Sequence, residues 1–330
     1  MISQRISIFQ FELESSASQK HCVAMDRTAS SLLSVQLGRH SFDAAYSSPF
    51  VVDFAYPWLY VCEYCLDYTS HYDDWDDHCN GKSPCTVVTP PGRLVYLDEI
   101  SRGQHPYGRS ETLVVYEVNG SLYPYYCQKL SLLGKLFLEN KLKTYDVDDL
   151  VFYVLCVRGC SGDHIVGYFS KLKEVQTITY NLHKLVIFPP FRRRGYGSFL
   201  IGFSYFLSRL DGSPGRPELP LSVAGQEAYR VYCRKAIFAY MRARDPNSPV
   251  DLTIEEICSW TGICGDDVSQ VFLWLKSFAF DAEQGKYVPR MIAKDYNRFA
   301  KLMRDSTPLI SVLTDKCVQL PLSQTKKLAG

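Results

Sequence analysis

The sequence predicts an α/β fold: an antiparallel-rich sheet feeding a strand–loop–helix unit, a small cysteine- and histidine-bearing unit ahead of it, and helices behind it. Three observations carry this reading. First, Lys184-Leu185-Val186-Ile187-Phe188 is a short apolar segment of strand character, stopped by Pro189 and Pro190. Arg192, Arg193, Arg194 and Gly195-Tyr196-Gly197 follow, and then Phe199, Phe203, Phe206, Leu207 and Leu210 recur at helical spacing. Second, Cys62-x2-Cys65, a spacer of twelve residues and His78 make half of a tetrahedral metal site. Third, beyond Gly225 the chain turns helical, with a capping box at Thr253-Ile254-Glu255-Glu256.

The first of these is also the chemical centre. Two glycines at the start of a helix let several backbone N–H groups point one way, a cradle for a pyrophosphate, and the arginines add positive charge. A dinucleotide fingerprint would need a third glycine where Leu200 stands, and the Gly-Lys-Ser/Thr of a Walker loop is absent. Arg192 to Gly197 reads R-x-x-G-x-G, similar to the pyrophosphate loop of acyl-CoA N-acetyltransferases. Taken alone, those six residues are equally well a plain strand-to-helix turn. Their neighbours decide: Tyr180-Asn181-Leu182 before, Phe199-Leu200-Ile201, Phe203-Ser204-Tyr205 and Leu207-Ser208 after, then Pro217-Glu218 and Pro220-Leu221-Ser222. This string resembles the acetyltransferase domain of MYST-family histone acetyltransferases. The resemblance covers about residues 37–300 and implies the GCN5-related N-acetyltransferase (acyl-CoA N-acyltransferase) core. It also implies an N-terminal zinc-finger subdomain and a C-terminal helix-turn-helix-like, winged-helix-like subdomain.

Composition sets bounds without choosing among enzymes. The chain has 330 residues, 46% hydrophobic and 14% aromatic, enough for a sizeable core. Its formal net charge of +1 argues for neither nucleic acid nor membrane. The longest apolar runs, such as 151–157, fall short of a membrane span. Polar residues Gln4, Arg5, Gln10, Glu12 and Glu14 break any signal-peptide core. Twelve cysteines then suggest a reducing compartment, nucleus or cytoplasm, with some cysteines holding metal.

Taken in order, residues 1–36 read as a loosely packed extension without periodicity. Residues 37–110 hold a leading strand around Tyr46-Ser47-Ser48-Pro49-Phe50 and the zinc unit. The family completes its site with a cysteine after a three-residue spacer from the histidine, but Lys82 occupies that position here. Cys79 and Cys85 are the candidates, and Cys85 is preferred because adjacent ligands on one short segment are hard to aim at one ion. The set Cys62, Cys65, His78 and Cys85 leaves no open position, so the zinc is structural. The aspartates of His71-Tyr72-Asp73-Asp74-Trp75-Asp76-Asp77 read as a solvated face, or as an attraction for a basic peptide. The tract from about Ile100 to Ser110 reads as a surface loop.

Residues 111–225 form the acetyl-CoA-binding core. Leu113–Val118 and Ser121–Cys127 flank Asn119-Gly120, a hairpin signal. Leu130–Leu138 has helical spacing, and Val151–Val157 and Ile165–Phe169 read as paired strands. In residues 226–305, helices are expected at Ala228–Met241, from Thr253, and at Asp266–Phe278, the last two separated by the turn Thr261-Gly262-Ile263-Cys264. Asp266 and Asp267 at the head of the last helix make a poor footprint for phosphate, so direct DNA binding is not expected. Residues 306–330 are a tail.

Acetyl transfer to lysine needs the cofactor held, the ammonium deprotonated and the thioester carbonyl polarised. The resemblance gives the loop Arg192, Arg193, Arg194, Gly195, Tyr196, Gly197 and Ser198 to the pyrophosphate, and Leu185, Val186 and Ile187 to pantetheine. It places Ser222 near the cofactor, makes Glu218 the general base between Pro217 and Pro220, and makes Lys141 the autoacetylated lysine. The chain departs from the family at Lys184, where the family carries its active-site cysteine. A cation there could pair with Glu218 and make it a poorer base. The resemblance implies acetyl-CoA as substrate, an H4-type histone tail as acceptor, chromatin-complex subunits as partners and the nucleus as location. Two other readings remain: a catalytically weakened acetyl-CoA-binding scaffold, suggested by Lys184, and a zinc-finger/helix-turn-helix DNA module.

Overall fold

The computed structural model describes residues 33–46, 50, 57–81, 84–97, 111–138, 146–173, 180–243, 253–276, 278–281 and 286–289. Lys141, the tract 98–110, most of the stretch 47–56 and the terminal segments lie outside them.

The chain enters through a small sheet of four strands, β1 (Ser34–Leu37), β2 (His40–Asp43), β3 (Trp58–Val61) and β4 (Tyr68–Thr69), in the order β2-β1-β3-β4. Val35, Leu37, Leu59 and Val61 alternate onto one buried face, the period-2 pattern of a half-buried strand. The strand at Ser34 corrects the expectation that the chain stays loose to residue 36. Leu33, Val35 and Leu37 are buried, and β1 pairs in parallel with β3.

The central sheet has five antiparallel strands: β5 (Arg93–Leu97), β6 (Thr112–Asn119), β7 (Leu150–Arg158), β8 (Asp163–Leu172) and β10 (Lys184–Ile187), ordered β10-β8-β7-β6-β5. Two helices cover it. On one face α3 (Tyr196–Leu210) sets Phe203 against Tyr96, Tyr153 and Phe169, with ring centroids 6.0, 5.8 and 6.5 Å apart. Such edge-on pairs each add about 0.5–1.5 kcal/mol to the burial itself. On the other, Tyr168 of β8 lies against Gly134 of α2 (Pro124–Lys135). A short pair, β9 (Tyr180–Leu182) with β11 (Arg216–Pro217), runs parallel beside it.

Asn119-Gly120 does not make a hairpin, and Ser121–Cys127 is not a strand. The Asn119 carboxamide oxygen accepts from the Ser121 N–H and hydroxyl, at 3.0 and 2.8 Å, and Pro124 opens α2 at its first turn. A β-carbon on Gly120 would fall 1.8 Å from the Val147 carbonyl, so only glycine lets the chain turn there. The true partner of β6 is β7, paired from Thr112↔Arg158 to Asn119↔Val151.

Behind the sheet stand α4 (Val223–Ala243), α5 (Ile254–Thr261) and α6 (Gly265–Leu275), then β12 (Phe278–Asp281) paired with β13 (Lys286–Pro289). The Thr253 hydroxyl accepts from the Glu256 N–H as the capping box predicts, and Gly262 at φ +75° ends α5. The third helix stops at Lys276 in a left-handed conformation, so Phe278 is in a strand and not in the helix. Val268, Val271, Phe272 and Leu275 face inward together. Arg216 on β11 meets Asp267 on α6 at 2.9 Å, the two side chains 9% and 0% exposed. Among the described residues no helix is long and apolar enough to cross a membrane.

Candidate functional site

The metal-ligating residues come together first. The ligand atoms of Cys62, Cys65, His78 and Cys85 all lie within 4.8 Å of one another, and Cys65 Sγ is 3.2 Å from His78 Nε2. Cys79 is not in that group. Two ligands come from the turn after β3, His78 from α1 (Tyr72–Asn80), and Cys85 from the strand-like segment beyond, whose N–H donates to the His78 carbonyl at 2.7 Å. Ligands about 2.0–2.3 Å from one ion fit that spacing, and a set of three sulfurs and one imidazole suits zinc. The hydrogen bond between Cys62 and Cys65 holds the Cys62 thiol down and pushes the Cys65 thiol up, so without a cation the pair favours one thiolate and not two. No residue of α1 is buried, so burial of apolar surface does not hold this helix. His78, together with Tyr72 and Trp75 packed 5.6 and 5.9 Å from Tyr60, is what ties it down. The unit is fixed to the core through Glu63, whose Oε2 lies 2.9 Å from His164 Nδ1 on β8.

The glycine loop sits where the sequence places it. Gly195 is in the left-handed region at φ +82° and precedes α3, whose first turn has no side-chain cap. The N–H groups opening that turn therefore lack intrahelical partners and carry the positive end of a helix of 15 residues. The three arginines of the loop turn to different surroundings. Arg192 Nε donates to the Ile187 carbonyl at 3.0 Å, and its guanidinium lies over Phe137. Arg194 pairs with Glu111 at 3.1 Å. Arg193 is exposed, and among the described residues it has no ion pair or hydrogen bond. Glu111 also accepts from the Tyr196 hydroxyl at 2.6 Å. The sequence reading did not single out Glu111, which stands 85 positions from Tyr196 and has no local signal.

Leu185, Val186 and Ile187 lie on β10, which is at the edge of the sheet, so among the described residues one side of their backbone has no neighbouring strand. The Ser222 hydroxyl accepts from the Gly225 N–H at 3.2 Å and caps α4. Glu218 follows β11 directly, and its N–H donates to the Leu182 carbonyl at 2.8 Å. That bond brings the carboxylate to the junction of β9 and β10, at the start of the strand whose other end leads into the loop. Lys184 opens β10 opposite Ser170, and among the described residues it forms no ion pair with Glu218. The group that touches the carboxylate is His183, Nε2 to Oε2 at 2.9 Å. Burial pushes the His183 pKa below its usual value; Glu218 opposes that shift and Lys184 adds to it. The imidazole is thus neutral at neutral pH.

Comparison with known sequences agrees with this geometry. The MOZ/SAS family model matches residues 89–312, and the MYST family zinc finger domain matches residues 31–81. Histone acetyltransferase MOF of Drosophila melanogaster is 35% identical over 288 residues, 87% of this chain and 32% of that protein. Histone acetyltransferase KAT6A of Homo sapiens is 34% identical over 277 residues, 83% of this chain and 13% of that one. The putative MYST-like histone acetyltransferase 1 of Oryza sativa subsp. japonica is 38% identical over 235 residues, 71% of this chain and 48% of its own. The chain thus spans less than half the length of each of these curated relatives.

Proposed function

The chain belongs to the MOZ/SAS family of MYST acetyltransferases, and from that premise we propose that it transfers acetyl from acetyl-CoA to a histone-tail lysine by direct attack, with Glu218 as the general base. One observation carries the reading: the Glu218 N–H bond to the Leu182 carbonyl sets a carboxylate at the head of the edge strand that leads into the uncapped glycine loop. Phosphates at the start of α3 and a pantetheine chain along the open side of β10 would bring the thioester toward that carboxylate. Glu218 takes a proton from the ammonium of the incoming lysine. The freed amine adds to the thioester carbon, the C–S bond breaks, and the CoA thiolate leaves with a proton. Lys184 cannot stand in for a cysteine nucleophile. If acetylated, it would hold the group as an amide, far too stable to pass it on.

Zinc at Cys62, Cys65, His78 and Cys85 is structural in this reading. Chromatin is the setting it implies, with histone tails as substrate, the nucleus as location and further chromatin-complex subunits as partners. Autoacetylation at Lys141 belongs to the same reading. Initial rates with acetyl-CoA and core histones should give intersecting double-reciprocal lines. Glu218→Gln should lower kcat by roughly 10²–10⁴, the usual worth of a positioned base. Lys184→Cys should preserve or raise activity by removing a cation near the base. Parallel lines would overturn direct attack. If wild type and Lys184→Cys both bind acetyl-CoA and transfer nothing, the scaffold reading replaces this one.

A further inference from the structure

The junction between β9 and β10 holds a side chain that the transfer chemistry above does not use. His183 is 17% exposed, and its Nε2 lies 2.9 Å from Glu218 Oε2. Its Nδ1 is buried without a hydrogen-bond partner, and so is Glu218 Oε2. The Glu218 side chain as a whole is 36% exposed. Since Oε2 is buried, Oε1 is the accessible oxygen. The carboxylate is therefore two-sided, one oxygen turned in against an imidazole and the other turned out to solvent.

We propose that His183 is the positioning residue of the base: its imidazole holds Oε2 of Glu218 so that Oε1 faces the incoming amine. This rests on the reading of Glu218 as base. An ionised carboxylate only accepts, so a neutral imidazole facing it presents Nε2–H and leaves its lone pair on Nδ1. The 2.9 Å contact is not aligned as a hydrogen bond, and a small turn of the ring gives Oε2 the donor it lacks; such a donor restricts the carboxylate's rotation and fixes which oxygen meets substrate, the kind of alignment on which general-base catalysis depends. Two charged groups act on the imidazole, Glu218 after β11 and Lys184 beside it on β10. The neighbouring polar residues, Ser170 on β8 and Asn181 on β9, are buried and uncharged. The one cation of α3, Arg209, is turned to the Trp260 carbonyl, and Arg216 of β11 is turned to Asp267. Protonation of His183, displaced to acid pH by burial, would add a second titration to the acid limb of the rate profile.

The test compares wild type, His183→Ala, His183→Gln and Glu218→Gln, with a histone tail peptide as acceptor. His183→Ala should lower kcat roughly 10- to 100-fold while leaving KM for acetyl-CoA unchanged. His183→Gln, whose amide N–H reaches the same oxygen, should restore most of kcat and leave a single titration in the acid limb. Ring NMR gives an arm independent of turnover: because Glu218 raises the His183 pKa, Glu218→Gln should lower it further. An unchanged pKa in Glu218→Gln overturns the pairing. So does His183→Ala with wild-type kcat and pH profile. Equal losses in both His183 variants, with lowered acetyl-CoA affinity, would make the residue a packing group and overturn the proposal. Glu218→Gln with full activity, or an inactive wild type, sinks the base reading itself. An inactive Glu218→Gln beside a fully active His183→Ala sinks only this inference.

Discussion

Gly195 is the residue of the proposed cofactor loop most exposed to a single change. At φ +82° it occupies a region that side chains other than Asn and Asp enter only at a cost of roughly 1–2 kcal/mol. It also stands at the mouth of the α3 N-terminus, where the free N–H groups point. Gly195→Asp tolerates the backbone angle better than a branched residue would, yet it sets a carboxylate where the proposed reading puts a phosphate. Its effect should therefore fall on affinity and not on folding. Calorimetry should show acetyl-CoA binding weakened by at least tenfold with Tm nearly unchanged; unaltered affinity would take the loop out of the binding site. Residues of this kind were legible in the sequence because the loop, its glycines and its helix are contiguous. Glu111 and His183 were not. One reaches Tyr196 across 85 positions and the other meets Glu218 across 35, through strand pairings that no local pattern encodes.

At the scale of elements, helix α1 shows how a metal can replace a core. It is a nine-residue helix with Asp73, Asp74, Asp76 and Asp77 and no buried side chain, too short to persist alone in water. Its stability must come from His78 on the zinc and from the contacts of Tyr72 and Trp75 with Tyr60. Freshly purified protein should contain one zinc per chain. Cys85→Ser should lose it and Cys79→Ser should keep it, because only Cys85 has its sulfur among the ligand atoms within 4.8 Å. Zinc retained by Cys85→Ser and lost by Cys79→Ser would reverse the assignment. The first three ligands could be read from spacing alone. The fourth needed an argument about geometry, since the ligand is displaced and two cysteines compete. The same limit explains Asn119-Gly120. As a dipeptide it favours a hairpin, but Pro124 and the close approach of the Val147 carbonyl turn the chain into α2. Tertiary contact overrode a local preference there, whereas the capping box at Thr253 agreed with its surroundings and held.

Across the whole molecule, the proposed base is held from behind by the C-terminal helices. Arg216, Pro217 and Glu218 are consecutive. Arg216 is buried against Asp267 of α6, Pro217 pairs with Leu182 on β9, and Glu218 meets His183. The helical unit thus reaches the candidate site through one buried ion pair, reinforced by the Cys264 N–H bond to the Gly215 carbonyl at 3.0 Å. Asp267, in the sequence only an acid at a helix start, is thus the buried partner of Arg216. Burying an ion pair gives little net stability, but removing one partner strands a charge, at a cost of about 3–5 kcal/mol. Asp266, 3.5 Å from the same guanidinium and half exposed, relieves part of that, so Asp267→Ala should fall toward the lower end. The loss should appear in denaturant melts as a lowered midpoint with an unchanged slope. If the pair also braces the base, kcat should fall at temperatures where the variant is still fully folded, with KM for acetyl-CoA unmoved. Replacing both partners by apolar residues of similar size should recover the midpoint but not kcat, because the segment leading into Glu218 would then be held by volume alone and not by a directed contact. Recovery of both would show that packing alone positions Glu218; a kcat untouched in Asp267→Ala would show that β9 and His183 hold the carboxylate without help from the helices.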